Sequence, residues 1–228
     1  MTEKTGYSVS DADCCGSPVA EEGRLPTMTI LCAMDCGDHL LLASDSMVYD
    51  PETGISSLED KLWPVPDMRV VGAYTGLTPL AEDFRRWLHS EDKARFVDWG
   101  SFRASVVERL AEINGDQKRL AEKAAATFRG LAAVFVGYVG GAPEILTVDA
   151  AGVSTLARAA GLVTAGHPPA QAAALAVHQA LEQERGDDFS PGKEVMRSIM
   201  EIATGISAIS APPVQMYRVD ARRLVKLP

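Results

Sequence analysis

The chain has 228 residues, 46% of them hydrophobic, enough for a sizeable core in one large domain or two small ones. Its 31 acidic residues outnumber its 22 basic ones, and the net charge of -9 argues against nucleic acid or an anionic membrane as a partner. No apolar run reaches the length of a membrane span, and the first 26 residues lack the apolar segment of a signal peptide, so a soluble cytoplasmic chain is expected.

Residues 1–26 are dominated by Ser, Asp, Glu and Gly without a period, and Pro26 closes them. They read as a flexible tail or a propeptide. One domain is expected over residues 27–228. Residues 27–36 are apolar and β-prone, Gly37-Asp38 is a turn signal, and residues 39–46 form a second strand. The run LLLA in that strand suggests burial on both faces. Residues 47–60, with Pro51 and Gly54, read as a loop. Two short strands follow at 61–65 and 69–74, split by Pro66 and Asp67. Thr78 then caps a helix with Pro79 at its first position, and Leu80, Phe84, Trp87 and Leu88 share one face. A helical stretch over 101–128 places Val106, Val107, Leu110 and Ile113 at helical spacing, with a break expected at Gly115. Strands at 131–139, 144–148, 153–156 and 162–164 come next, the first pair joined by Gly140-Gly141. Helices over 169–183 and from Ser190-Pro191 follow, the second burying Val195, Ile199 and Ile202. A hairpin of residues 214–219 and 222–227, turning at Asp220-Ala221, ends the chain. Strands, two helices, strands, two helices, strands is an α+β order, not a βαβ alternation.

The cysteines suggest reduced thiols. Cys14 and Cys15 are adjacent, Cys32 and Cys36 on one strand stand beyond disulfide reach, and no His or second Cys pair lies at zinc spacing. No metal or cofactor is expected.

The hairpin carries the chemistry. The segment MTILCAMDCGDHLLLASDS from Met28, then Lys61, then YTG at 74–76, resembles the N-terminal third of proteasome β subunits and their bacterial relatives HslV and Anbu. Asp45 is sixteen residues after Thr29, Lys61 sixteen after Asp45, and Gly76 fifteen after Lys61, the last one more than the family usually has. SAIS at 207–210 and VQMYRV at 214–219 look like the family's DAYS motif and final strand. The resemblance spans residues 27–228 and is specific over the first fifty of them. It implies a four-layer αββα sandwich, with two packed, mainly antiparallel sheets flanked by helix pairs. It also implies a threonine-type peptidase working in a self-compartmentalising homo-oligomer on peptide or unfolded protein, with an ATP-dependent unfoldase as a further partner and no cofactor.

Carried over by position, the resemblance makes Thr29 the nucleophile. A threonine hydroxyl needs a base. A free N-terminal Thr supplies one in its α-amino group, whose ordinary pKa is about 7.7–8.0. Lys61 would favour the deprotonated hydroxyl, and a buried lysine needs an acid partner, which Asp45 would be. The N–H of Gly76 would point at the developing oxyanion, and Ser210 would hydrogen-bond around the α-amino group. Thr29 would be exposed by propeptide cleavage or by an internal start at Met28. Thr27 competes for the role if the hairpin carries a two-residue insertion. The chain departs from the family at Ser207, where an Asp is usual, at Met47, where an Arg is usual, and around Ala165-Gly166-His167, where a Ser-Gly pair is usual. Read alone, His167 is a solvated loop residue. These departures keep open a non-catalytic scaffold subunit and an amidase acting on a small molecule.

Overall fold

The computed structural model describes residues 29–49, 56–125, 130–157, 161–206 and 214–228. Their elements run β1 (Ile30–Asp35), β2 (His39–Ser44), β3 (Met47–Tyr49), β4 (Ser56–Leu58), β5 (Leu62–Pro64), β6 (Arg69–Thr75), α1 (Thr78–Ser90) and α2 (Trp99–Lys123). The second half has β7 (Ala132–Val139), β8 (Ala142–Val148), β9 (Ser154–Ala157), β10 (Leu162–Gly166), α3 (Pro168–Arg185), α4 (Lys193–Ile206), β11 (Gln215–Asp220) and β12 (Leu224–Leu227). The fold is mixed α+β. One five-stranded sheet has the order β10-β1-β2-β11-β12 and another the order β5-β6-β7-β8-β9, while β3 and β4 form a separate two-stranded piece. Every strand pairing is antiparallel.

Alternation along the strands explains the unbroken apolar runs. In β1, Ile30, Cys32 and Met34 join one apolar cluster with Met196, Ile199 and Met200 of α4. Leu31 and Ala33, pointing the other way, join a second cluster with Val71 and Ala73 of β6 and Val134 and Val136 of β7. A strand that must be apolar on both faces reads as a continuous run. On the far side of β7, Phe135 joins a third cluster with Trp63 and with Phe84 and Phe102 of α1 and α2. One cluster thus joins residues of both five-stranded sheets, and each of the others joins residues of one sheet to residues of helices.

Several sequence expectations are corrected. The segment 47–60 is not simply a loop, because it holds β3 and β4. Leu77 caps α1 in place of Thr78, which is already helical. The second helix starts earlier, at Trp99, where Asp98 accepts from the Ser101 N–H and the Ser101 hydroxyl closes a capping box. Gly115 does not break it, since α2 is continuous through that residue. A mid-helix glycine weakens a helix by only about 1 kcal/mol, less than the packing of the Phe102, Val106 and Leu110 stripe returns. The last helix starts at Lys193, beyond Ser190-Pro191, and Ile202 stands 48% exposed on it. Cys32 and Cys36 are free, and burial pushes the Cys32 thiol up to about 12. No helix among the described residues is long and apolar enough to cross a membrane.

Phe102 is fully buried and meets Phe96, Trp99 and Phe135 edge-on, with centroids 5.2, 5.6 and 5.2 Å away. Truncating it leaves a cavity among aromatic rings. Phe102→Ala is expected to lower unfolding free energy by about 3–5 kcal/mol in urea titration, whereas a loss under about 1 kcal/mol would mean the cluster collapses to fill the space.

Candidate active site

Hairpin geometry turns sequence distance into contact. In the turn, Asp35 Oδ1 accepts from the Gly37 N–H at 2.8 Å, and Gly37 takes φ 84°. The resulting register pairs Leu31 with Ser44. Thr29, just before β1, and Asp45, just after β2, therefore come side by side. The Ile30 N–H donates to Asp45 Oδ1 at 3.0 Å, and the Asp45 N–H donates to the Ile30 carbonyl at 3.4 Å.

Lys61 arrives from the other sheet, immediately before β5. Its Nζ donates to Asp45 Oδ2 at 2.8 Å and to Thr29 Oγ1 at 3.1 Å. Three of the expected site residues thus form one array. The array is buried: the side chains of Lys61 and Asp45 are 2% and 0% exposed, and Thr29 is buried. Burial pushes the Lys61 amine below its ordinary range, against the pull of Asp45. Burial likewise pushes the Asp45 carboxyl up, against Lys61 and the N–H groups of Ile30 and Met47. The direction that bears on chemistry is that of Lys61. A lysine moved toward neutrality can exchange a proton with the hydroxyl it touches, and while charged it stabilises an alkoxide there.

Gly166 fixes the approach of the next strand. A Cβ there would sit 1.8 Å from the Thr29 carbonyl oxygen, and the neighbouring His167 N–H donates to that same oxygen at 3.0 Å. The Thr29 backbone is thereby held against the start of α3. His167 is only partly exposed, and its Nδ1 is buried without a hydrogen-bond partner among the described residues. This corrects its reading as a solvated loop histidine.

Gly76 follows β6 with φ 130°, and a Cβ there would stand 2.6 Å from the Gly130 carbonyl. Its contact with residues 130–131 is what requires a glycine. Ser210, Ser207 and Thr27 lie outside the described residues. Met47 places its N–H on Asp45 Oδ2 at 3.2 Å, so this position serves the acid through its backbone.

Sequence reasoning missed Gln215, the first residue of β11. Its buried side chain bonds the Lys61 and Leu62 N–H groups, the Ser46 hydroxyl and the Glu59 carbonyl. No spacing rule points to a residue 154 positions from Lys61. The available signal was a glutamine within an otherwise buried strand, which must find polar partners. Among the described residues no group of three or more His, Cys, Asp or Glu side chains could hold a metal ion.

A scan against protein-family models finds none that matches the chain, and no curated protein matches it.

Lys61→Met tests the electrostatics. Without the cation, nothing charged opposes the burial of Asp45, so its folded pKa rises further above the unfolded value of about 3.9. A carboxyl raised in the fold contributes stability below its unfolded pKa and loses it as pH rises through the folded pKa. The variant is expected to be about 3–5 kcal/mol less stable than wild type at pH 7, with a smaller deficit near pH 4. Urea unfolding at both pH values measures it, and an equal deficit at both would show that Asp45 is not the group left unpaired.

Proposed function

We propose that the chain is a threonine-type peptidase of the N-terminal-nucleophile class. Its fold would be a four-layer αββα sandwich, and Thr29 would be the nucleophile once it is the first residue. The observation that carries this reading is the contact of Lys61 Nζ with Thr29 Oγ1 at 3.1 Å while the same nitrogen is held by Asp45 at 2.8 Å. A strand threonine of purely structural role has no need of a buried ammonium on its hydroxyl. The three apolar clusters, one between the sheets and one beneath each helix pair, support the sandwich.

Exposure of Thr29 can be autolytic. Thr29 Oγ attacks the Met28 carbonyl carbon, the C–N bond breaks, and the nitrogen takes a proton to become a free amine. Water then hydrolyses the resulting ester, releasing the Met28 carboxylate and restoring the hydroxyl. In the mature enzyme the α-amino group accepts the hydroxyl proton as Oγ adds to a substrate carbonyl, and it delivers a proton to the leaving amine. Lys61 stabilises the negative charge on Oγ, Asp45 holds Lys61, and the Gly76 N–H takes the oxyanion role. Ser210 assists at the α-amino group. Water completes the cycle by hydrolysing the acyl-enzyme. The substrate is peptide or unfolded protein, and a homo-oligomeric chamber in the cytoplasm, fed by an unfoldase, supplies the selection an open cleft lacks.

Intact mass of the natively expressed protein tests this directly, together with hydrolysis of a fluorogenic peptide. Wild type is expected to begin at Thr29 and to cleave. Thr29→Ala is expected to stay unprocessed and lose activity by about a thousandfold or more, with Thr29→Ser retaining part of it. A wild type that keeps Met1 and cleaves nothing would overturn the proposal in favour of a scaffold subunit. Cleavage of small acyl amides but not of peptides would point instead to an amidase.

A further inference from the structure

Among the described residues, the Gln215 side chain makes four hydrogen bonds at the site, where that of Asp45 makes three. Gln215 is 8% exposed and pairs across the sheet with Ser44, the residue before Asp45. Its Oε1 accepts from the Lys61 N–H at 3.0 Å and from the Leu62 N–H at 3.4 Å. Its Nε2 donates to the Ser46 hydroxyl at 3.0 Å and to the Glu59 carbonyl at 2.7 Å. A primary amide has two acceptor sites and two donors, so its full capacity is used. A buried amide in four directed bonds has one orientation, since turning it over would set oxygen against the Glu59 carbonyl and N–H against N–H.

The placement of these bonds matters more than their number. Among the described residues, Lys61 precedes β5, an edge strand paired with β6. The N–H groups of Lys61 and Leu62 are taken by Gln215 instead of a neighbouring strand. The same amide grips Ser46, next to Asp45, in the stretch that follows β2. Gln215 therefore links the backbone that carries Lys61 to the backbone that carries Asp45, without being bonded to either functional side chain. The Ser46 carbonyl also accepts from the Glu59 N–H at 2.8 Å, at the end of the β3–β4 pairing, and the amide extends that connection to the backbone of Lys61 and Leu62.

We infer that Gln215 is a positioning residue that sets where Lys61 Nζ stands relative to Thr29 Oγ1. This rests on the peptidase reading. A displacement of Lys61 by a fraction of an ångström would leave its pairing with Asp45 possible but misplace it for the hydroxyl, and misplacement of about 1 Å costs about a hundredfold in rate.

Gln215→Glu separates positioning from mere support. The change keeps the volume and the oxygen facing Lys61 and Leu62, but it replaces the donor facing the Glu59 carbonyl with an anionic oxygen. That repels the carbonyl and places a negative charge near Lys61, which favours its ammonium. Expected for the processed enzyme is a fall in kcat of about 10- to 100-fold, KM within about twofold, and movement of the alkaline limb of kcat, where Lys61 loses its proton, to higher pH. Gln215→Asn, too short to span all four partners, is expected to lower kcat without moving that limb. Unchanged kcat and pH profile in both variants, with only a lower Tm, would overturn the inference and leave Gln215 a structural staple. A second readout does not need cleavage. NMR titration of Cε-labelled lysine is expected to show Lys61 protonating at higher pH in Gln215→Glu than in wild type, and an identical titration would overturn the inference. A wild type that is unprocessed and inactive, yet shows this titration shift, would instead fault the peptidase reading alone.

Discussion

A lysine side chain 2% exposed, paired with an aspartate 0% exposed, is the constraint that the rest of the structure accommodates. Removing an ammonium from water carries a penalty that attraction to one carboxylate does not reliably recover. The pair is tolerated because further hydrogen bonds support both partners. Asp45 receives N–H groups from Ile30 and Met47, and Lys61 finds a second acceptor in the Thr29 hydroxyl. Hydrophobic side chains of similar volume would serve stability as well or better. An ion pair kept at such a place, with its lysine on a hydroxyl, is the kind of arrangement that shifts the chemistry of that hydroxyl.

The same constraint explains why backbone must pass so close to backbone there. Lys61 belongs to the segment entering the second sheet, whereas Thr29 and Asp45 belong to the first. The apolar cluster that joins residues of both sheets, Leu31 and Leu42 with Val71 and Val134 among them, holds the two at a fixed spacing. Within that spacing Gly166 lets its backbone lie against the Thr29 carbonyl, where any Cβ would collide at 1.8 Å. The His167 N–H then occupies the same oxygen. Thr29 is thus gripped through its carbonyl by one neighbour and through its hydroxyl by another.

Local geometry decides how much of this was legible beforehand. Thr29 and Asp45 could be paired from sequence because a hairpin with a glycine turn has a countable register. Lys61 could be added through the resemblance, since its separation from Asp45 crosses an irregular segment that counting alone does not span. The α+β order followed from runs of strands and helices, and the continuous apolar residues of β1 and β2 announced burial on both faces. What failed was local competition. Met47–Tyr49 pairs with Ser56–Leu58 although Pro51 and Gly54 lie between them, and Gly115 stays helical because its neighbours pack. Gln215 was illegible for a different reason. Its significance lies entirely in partners distant in sequence, and a polar residue in a strand looks the same whether it faces water or secures a lysine.

The array also implies an order of events on the peptidase reading. While Thr29 remains joined to Met28, its nitrogen is an amide and has no basic lone pair. The hydroxyl is then bonded, among the described residues, to Lys61. The first reaction, release of the propeptide, must draw its proton transfer from a lysine that burial has moved toward neutrality or from water beside it. Every later turnover has the α-amino group as well. A site built this way needs Lys61 in two capacities, as proton carrier before maturation and as fixed positive charge afterwards. The first asks for a depressed pKa, the second for a retained Asp45. Burial and pairing, which oppose each other in the energetics of Lys61, are therefore both required, and the position of Nζ must be held closely enough that neither overwhelms the other.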